Sequence, residues 1–331
     1  MSSLPTTMRA LRQPSLTGPR DLRLVTDEPV PAPGAGEVLI RVGAAGVNFA
    51  DTMQTRGTYG GGPQAPYRAG FEGAGEIVAL GADVTGVEVG DHVIGAGHGA
   101  FAEYMTLPAA GAAPVPAGWT DEQALGLVLN WATALAALRP LGRLTAGEHV
   151  LVHAAAGGVG QAAVLMAKHY GATVIATASA GKHDTVRELG ADHVIDYRSA
   201  DVTAEVLRLT EGRGADLVLE SVGGDTFAVS LASTRRVTGR VVVFGMAAGE
   251  ASISNHDLTF THQIHVIGLH IGTLIAAAPE IYAEITAELA ALQAAGVYRP
   301  GTPTVYELAD GAKALIDLES GSTVGKLAIR P

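Results

Sequence analysis

The chain has 331 residues, of which 47 % are hydrophobic and 17 % charged, and its mean hydropathy is +0.25. That is too apolar for a disordered chain, and the length allows two cores at about 100–200 residues per domain. With 22 basic against 33 acidic residues the net charge is −11, which argues against a nucleic-acid binder and against a basic helix lying on a membrane surface. There are no cysteines, which removes disulfides, thiolate zinc sites, iron–sulfur clusters and a cysteine nucleophile.

The N-terminal stretch MSSLPTTMRALRQPS lacks the apolar core of a secretory signal. The most apolar long window, 124–138, is interrupted by Asn130 and Thr133 and is too short to span a bilayer. A cytoplasmic location without membrane partners is the expectation. As far as about Trp119 the chain reads as short strands between Gly and Pro turns: 37–42 (EVLIRV), 75–81 and 90–95, with one short helix near 48–55. This texture predicts a barrel-like β domain.

From Asp121 the texture changes. Asp121 can cap a helix over 124–138, which Pro140 and Gly142 end. Strands follow at 149–153 (HVLVH), 173–178 (TVIATA), 193–196, 216–220 (DLVLE), 240–244 (RVVVF) and 265–269 (HVIGL), with helices at 158–170 and 183–189. Strands apolar on both faces and alternating with helices predict an α/β fold with a doubly wound, Rossmann-type parallel sheet. After His270 come a helix over 280–295, a strand over 304–306, a helix over 309–319 and a strand over 326–330. This tail is too short to stand alone and is expected to rejoin the β domain. The predicted organisation is a β domain over 1–125, a parallel-sheet domain over 126–269, and 270–331 returning to the β domain.

The strongest local chemistry is HAAAGGVG over 153–160, directly after one buried strand and opening a helix. That is the context a dinucleotide fingerprint requires. On G-x-G-x-x-G, Gly157 and Gly160 fit and Ala155 replaces the first glycine. Ala156, Gly157, Gly158, Val159 and Gly160 form the candidate phosphate loop. Gly157 lets the backbone approach a pyrophosphate, Gly160 lets helix and strand pack closely, and the helix N-terminus offers free N–H groups. The competing reading is a tight turn with no ligand. An NAD site carries Asp or Glu at the end of the second strand. Here that end reads TASAGK, 177–182, without a carboxylate, and Ser179 and Lys182 can donate to a 2′-phosphate. The cofactor expected is NADPH.

These segments, with AGVNFAD (45–51), GFEGAG (70–75), GDHV (90–93), LGAD (189–192) and GKL (325–327), resemble the zinc-free quinone oxidoreductases of the medium-chain dehydrogenase/reductase superfamily over nearly the whole chain. The resemblance implies a GroES-like β-barrel catalytic domain, a Rossmann domain, and NADPH and substrate held between them. It also implies a homodimer joined through an edge strand near 266–269. Zinc alcohol dehydrogenases carry Cys and His where this chain has Asn48 and Phe71, so no metal is expected. Without zinc, the fitting chemistry is hydride delivery to an electron-poor small molecule such as a quinone or conjugated enone. Asn48 and Asp51, spaced i, i+3 on the short helix, can share a face. By resemblance they lie near the nicotinamide, and Tyr59 matches a pocket tyrosine that enoyl-thioester reductases use as a proton donor. Thr133 matches a contact to the nicotinamide ribose, Tyr197 one beside the 2′-phosphate, and Lys326 a C-terminal position near the cofactor. Ser221 and Val222, with Phe244, Gly245 and Met246, lie at strand C-terminal ends, where open α/β sheets bind ligands. The alternatives are an enone or enoyl-thioester reductase, and an NADPH-binding structural or regulatory protein without turnover.

Overall fold

Two units, the first built on two sheets and the second on one, account for residues 4–331 of the computed structural model. The first three residues of the N-terminal stretch lie outside the described residues. Unit 1 runs to Leu129 and resumes over Pro300–Pro331, and unit 2 is Asn130–Arg299.

Unit 1 begins with β1 (Thr7–Gln13) and β2 (Arg23–Pro29), then β3 (Glu37–Val47), α1 (Phe49–Thr55), β4 (Tyr67–Arg68), β5 (Glu72–Leu80), β6 (His92–Ala96), β7 (Tyr104–Pro108), β8 (Ala113–Pro114) and α2 (Asp121–Ala124). β1 is flanked antiparallel by β2 and β4. The 37–42 alternation is the start of the longer β3, which pairs antiparallel with β5 and with β7. Val38, Ile40 and Val42 point into one core with Ile77, Phe101 and Met105.

The helix expected over 124–138 is broken. Thr120, not Asp121, caps α2, its hydroxyl accepting from Gln123 N at 3.3 Å. Leu125 leaves the helix in an extended conformation and Gly126 takes φ +94. A π-helical turn over Leu127–Trp131 then leads into α3 (Ala132–Leu138). The break frees the Gly126 N–H, which donates to the buried Glu72 Oε1 at 2.5 Å. A continuous helix would have spent that donor on its own backbone.

Unit 2 continues with β9 (His149–Val152), α4 (Gly158–His169), β10 (Thr173–Thr177), α5 (His183–Glu188), β11 (His193–Ile195), α6 (Val202–Leu209), β12 (Leu217–Glu220), α7 (Gly224–Ser233), β13 (Arg240–Val243), β14 (His265–Gly268), α8 (Ile271–Ala277) and α9 (Pro279–Ala294). All six strands are parallel, in the order β11-β10-β9-β12-β13-β14. The order reverses between β9 and β12, the place where a doubly wound sheet binds its ligand. Leu151, Ile175, Val218 and Val241 are fully buried at its centre. Residues 270–299, expected in the returning tail, belong to unit 2. There α9 packs on α8 and α3, because its apolar positions Ile285, Leu289 and Leu292, spaced i, i+4, i+7, are buried on one face.

The chain re-enters unit 1 with β15 (Thr304–Glu307), α10 (Gly311–Glu319) and β16 (Leu327–Arg330). β16 pairs antiparallel with β3, Leu327 opposite Val47. This register sets Lys326 beside the end of β3, across from Asn48.

Candidate active site

In unit 2 the glycine loop follows β9. Gly157 N donates to Ala154 O at 2.9 Å, Ala154 itself sits at φ +49, and Ala155 N donates to Thr177 O at 3.1 Å. A Cβ on Gly160 would strike Ala154 O and come within 2.6 Å of Ala155 Cα, so this glycine is required by the helix lying on its own loop. Gly157 differs. Its φ of −83 suits any residue, and a Cβ would meet only Ala154 O at 3.4 Å. Nothing in the protein demands glycine there, and the bare backbone leaves room for a phosphate group at the α4 N-terminus. The loop and the helix end therefore fit a dinucleotide.

Two buried groups brace this region. Glu220, fully buried at the end of β12, accepts from Val222 N (2.6 Å), Gly223 N (2.8 Å) and the Ser230 hydroxyl. It shapes the turn carrying Ser221 and Val222. Gly245 presses on that turn, since a Cβ would lie 2.6 Å from Ser221 O. Phe244 N donates to Glu220 O at 2.9 Å, and Gly249 N caps the 244–249 loop on Met246 O at 2.9 Å. His153, buried beneath the loop, places Nδ1 3.1 Å from Thr177 Oγ1. Burial holds its imidazole below the ordinary range, opposed by Glu220.

At the ends of β10 and β11, Ala178 N donates to Ile195 O at 3.1 Å. Ser179 opens the turn that carries Lys182, whose ammonium is held below its usual range by burial and then by Arg198. The two cations thus lie close enough for one to act on the other. Arg198 also lies 5.7 Å from the ring of the exposed Tyr197. Asp196 is engaged locally, accepting from Arg198 N and Ser199 Oγ at 3.1 Å. Arg198 was not singled out from the sequence, although it adjoins Tyr197. Thr133 is the second residue of α3.

Unit 1 gathers a different set. Asn48 precedes α1, and Glu72 opens β5 opposite Gly46. The Lys326 ammonium donates to Asn48 Oδ1 (2.7 Å) and Glu72 Oε2 (2.5 Å), and Asn48 Nδ2 donates to Glu72 Oε2 at 2.8 Å. Gly46 is glycine because a Cβ would collide with the Glu72 carboxylate and with Lys326 Cε. Lys326, grouped with the cofactor contacts by resemblance, thus has its ammonium on two unit-1 side chains. Glu72 was missed as a functional residue, although it stands in the GFEGAG segment.

Asp51 is 2 % exposed. Its Oδ2 accepts from Asn48 N at 2.8 Å, and its Oδ1 has no partner among the described residues. Burial pushes this carboxyl up to about 8; Glu72 adds to the rise, while the Asn48 N–H and Lys326 oppose it. Tyr59 and Tyr67 are half-buried, and both hydroxyls are pushed up by burial and then by the charge of Asp51. The structure thus brings Asn48, Asp51 and Tyr59 into one electrostatic neighbourhood, with Glu72, Lys326 and Tyr67 added to those foreseen. Among the described residues no three His, Asp or Glu side chains converge as a metal-binding group, and no helix is long and apolar enough to cross a membrane.

Comparison with known proteins agrees with this architecture. A model of the alcohol dehydrogenase GroES-like domain matches residues 34–117, and a zinc-binding dehydrogenase model matches 158–291. The rat synaptic vesicle membrane protein VAT-1 homolog is 34 % identical over 319 residues, covering 91 % of this chain and 78 % of that protein. The Escherichia coli quinone oxidoreductase solved with NADPH is 32 % identical with a TM-score of 0.91, covering 98 % of this chain and all of that one (100 %). The CurK enoyl reductase is 28 % identical, with a TM-score of 0.88 over 98 % of this chain and 99 % of that one. On the matched models and the near full-length relatives, the chain belongs to the quinone oxidoreductase family of the medium-chain dehydrogenase/reductase superfamily.

Proposed function

We propose that this oxidoreductase transfers a hydride from NADPH to a quinone without a metal ion. The observation that carries the reading is the full-length likeness to a quinone oxidoreductase solved with NADPH. NADPH, when bound, supplies the hydride from its nicotinamide ring. The α4 N-terminus and the open face of Gly157 hold the diphosphate, Thr133 the nicotinamide ribose, and residues 221–222 and 244–246 the remaining edge. Ser179, Lys182 and Tyr197, joined by Arg198, take the 2′-phosphate. Asn48, Asp51 and Tyr59 orient the acceptor. The test is NADPH oxidation with 1,4-benzoquinone or a naphthoquinone against crotonyl thioesters. Turnover on the quinones alone supports the reading. Preference for the thioester, or tight NADPH binding with no turnover on any acceptor, overturns it.

Cofactor choice is a separate prediction. NADPH should be preferred over NADH by at least about tenfold, because a charge-assisted hydrogen bond contributes roughly 1.5–3 kcal/mol. Lys182→Ala should raise the NADPH KM by about that factor and leave the NADH KM nearly unchanged. Equal use of both cofactors by the unaltered chain contradicts it.

The second reading, an enone or enoyl-thioester reductase, is favoured by the half-buried Tyr59 beside Asp51 and by the likeness to an enoyl reductase. Such a reaction needs a proton delivered to carbon, for which a positioned donor contributes about 10²–10⁴-fold. A reduced quinone carries its charge on oxygen and does not depend on this one hydroxyl. Tyr59→Phe should therefore slow quinone reduction by less than about tenfold, the effect of one hydrogen bond of about 1 kcal/mol. A loss of about 10²-fold with NADPH binding intact favours the enone.

A further inference from the structure

The glycines at the start of α4 are not alike. Gly160 packs on its own loop, and Gly157 is open. Gly158, the first residue of α4, is glycine for another reason. A Cβ there would come within 3.1 Å of Asn130 Cγ and Oδ1 and 3.3 Å of Nδ2. The Asn130 carboxamide therefore lies where a side chain at 158 would go, against the helix end whose free N–H groups suit a phosphate.

Asn130 is also an unexpected residue for its place. Over 124–138, only Asn130 and Thr133 have side chains ending in an amide or a hydroxyl. α3 packs against α4, and every residue of α3 except Thr133 is buried. Asn130, three residues earlier on the π-helical turn, is likewise only partly buried. Trp131 keeps helical angles (φ −69, ψ −42), so that turn runs into α3 without a break. Gly157, Gly158 and Val159 are partly exposed too. The two polar residues thus mark open positions of an otherwise apolar segment, and one of them abuts the open phosphate loop. Helical turns of the π type are rare and concentrate at functional sites. If position 130 served packing alone, an apolar side chain would fill it without the cost of desolvating an amide. All these residues lie in unit 2.

We propose that Asn130 is a cofactor-binding residue, its Nδ2 donating a hydrogen bond to a diphosphate oxygen of NADPH. This deepens the NADPH reading and rests on it. Diphosphate oxygens only accept, so the amide presents Nδ2 to them. The bond is charge-assisted and adds to those from the α4 N–H groups. A carboxylate of the same shape would repel the same oxygens. With Thr133 on the nicotinamide ribose, one helical path follows the cofactor from its diphosphate to its reactive end.

The test is calorimetric binding of three probes: NADPH, 2′-phospho-ADP-ribose, which keeps the diphosphate, and adenosine 2′-monophosphate, which lacks it. Asn130→Asp should weaken the first two by about 10²-fold, because it removes a donor and adds a like charge. Adenosine 2′-monophosphate should bind within about twofold of its original affinity, and the melting temperature should move by less than about 3 °C. Asn130→Ala adds no charge and should give the same pattern at about tenfold. Gly158→Ala should weaken NADPH by about fivefold through displacement of the amide. In the Asn130→Ala background, where the methyl group has room, it should do so by less than about twofold. Equal losses in both backgrounds mean that the methyl group itself meets the cofactor, and overturn the proposal. So does a loss confined to NADPH, which would put Asn130 at the nicotinamide end, and so does a loss shared by all three probes, which would make the amide a structural brace. NADPH binding indifferent to residue 130 defeats this assignment and leaves the cofactor reading standing. An unaltered chain that binds neither NADPH nor 2′-phospho-ADP-ribose defeats both.

Discussion

Lys326→Met is expected to destabilise the protein by about 3–5 kcal/mol, the usual consequence of stripping one partner from a buried ion pair. Glu72 is fully buried, and the Lys326 side chain is only 11 % exposed. Without the ammonium, the Glu72 carboxylate keeps only the Gly126 N–H and the Asn48 amide, too little to offset the removal of a charge from water. Methionine retains the apolar stem, so the loss reports the charge rather than packing. Glu72→Gln in the same chain should restore stability to within about 2 kcal/mol of the original, since a neutral pair removes the buried charge. Denaturant unfolding of the two single variants and the double variant measures this directly. A Lys326→Met variant within about 1 kcal/mol of the original would mean that the pair is solvated in solution.

The same cluster explains why some of the molecule was legible in the sequence and some was not. The parallel sheet of unit 2 was readable because strands such as Leu217–Glu220 are buried on both faces, and a continuous apolar run between helical patterns has few other uses. The glycine loop was readable because its constraint is local: Gly160 packs against residues five and six positions earlier. β1 and β2 were not foreseen. β2 is largely exposed and rich in charge, which leaves little periodicity to detect. The helix over 124–138 was misread because its break serves a partner 54 residues away, the Glu72 carboxylate that needs the Gly126 N–H. Propensity has no access to such a demand. Lys326 and Glu72 are separated by 254 residues, and only the strand register of β16 on β3 and β3 on β5 makes them neighbours. The signal present in the sequence was Gly46, a glycine in a strand, which often marks a close approach by another group. Tyr67 is similar. Its short strand pairs with β1, an element itself not foreseen.

The two loop glycines should separate folding from ligand binding. Gly160→Ala places a methyl group against Ala154 O and within 2.6 Å of Ala155 Cα. Both are backbone atoms and cannot step aside as a side chain can, so α4 must shift off its loop. Overpacking of this kind costs about 1–3 kcal/mol, and the shift also moves the N–H groups that would hold phosphate. Both the melting temperature and NADPH affinity should fall, the affinity by about 10²-fold. Gly157→Ala makes the opposite case. With φ −83 and ψ 176, and no atom nearer to a Cβ than Ala154 O at 3.4 Å, alanine fits the loop as it stands. Stability should change by less than about 1 kcal/mol, the scale of an N-cap substitution. NADPH affinity should still drop by about tenfold or more, because the methyl group occupies the face a diphosphate needs. Calorimetry of NADPH binding alongside thermal unfolding of the two variants decides the matter. If Gly157→Ala binds NADPH as the original does, the open face of Gly157 is not where the diphosphate sits, and the loop serves only as the turn between β9 and α4.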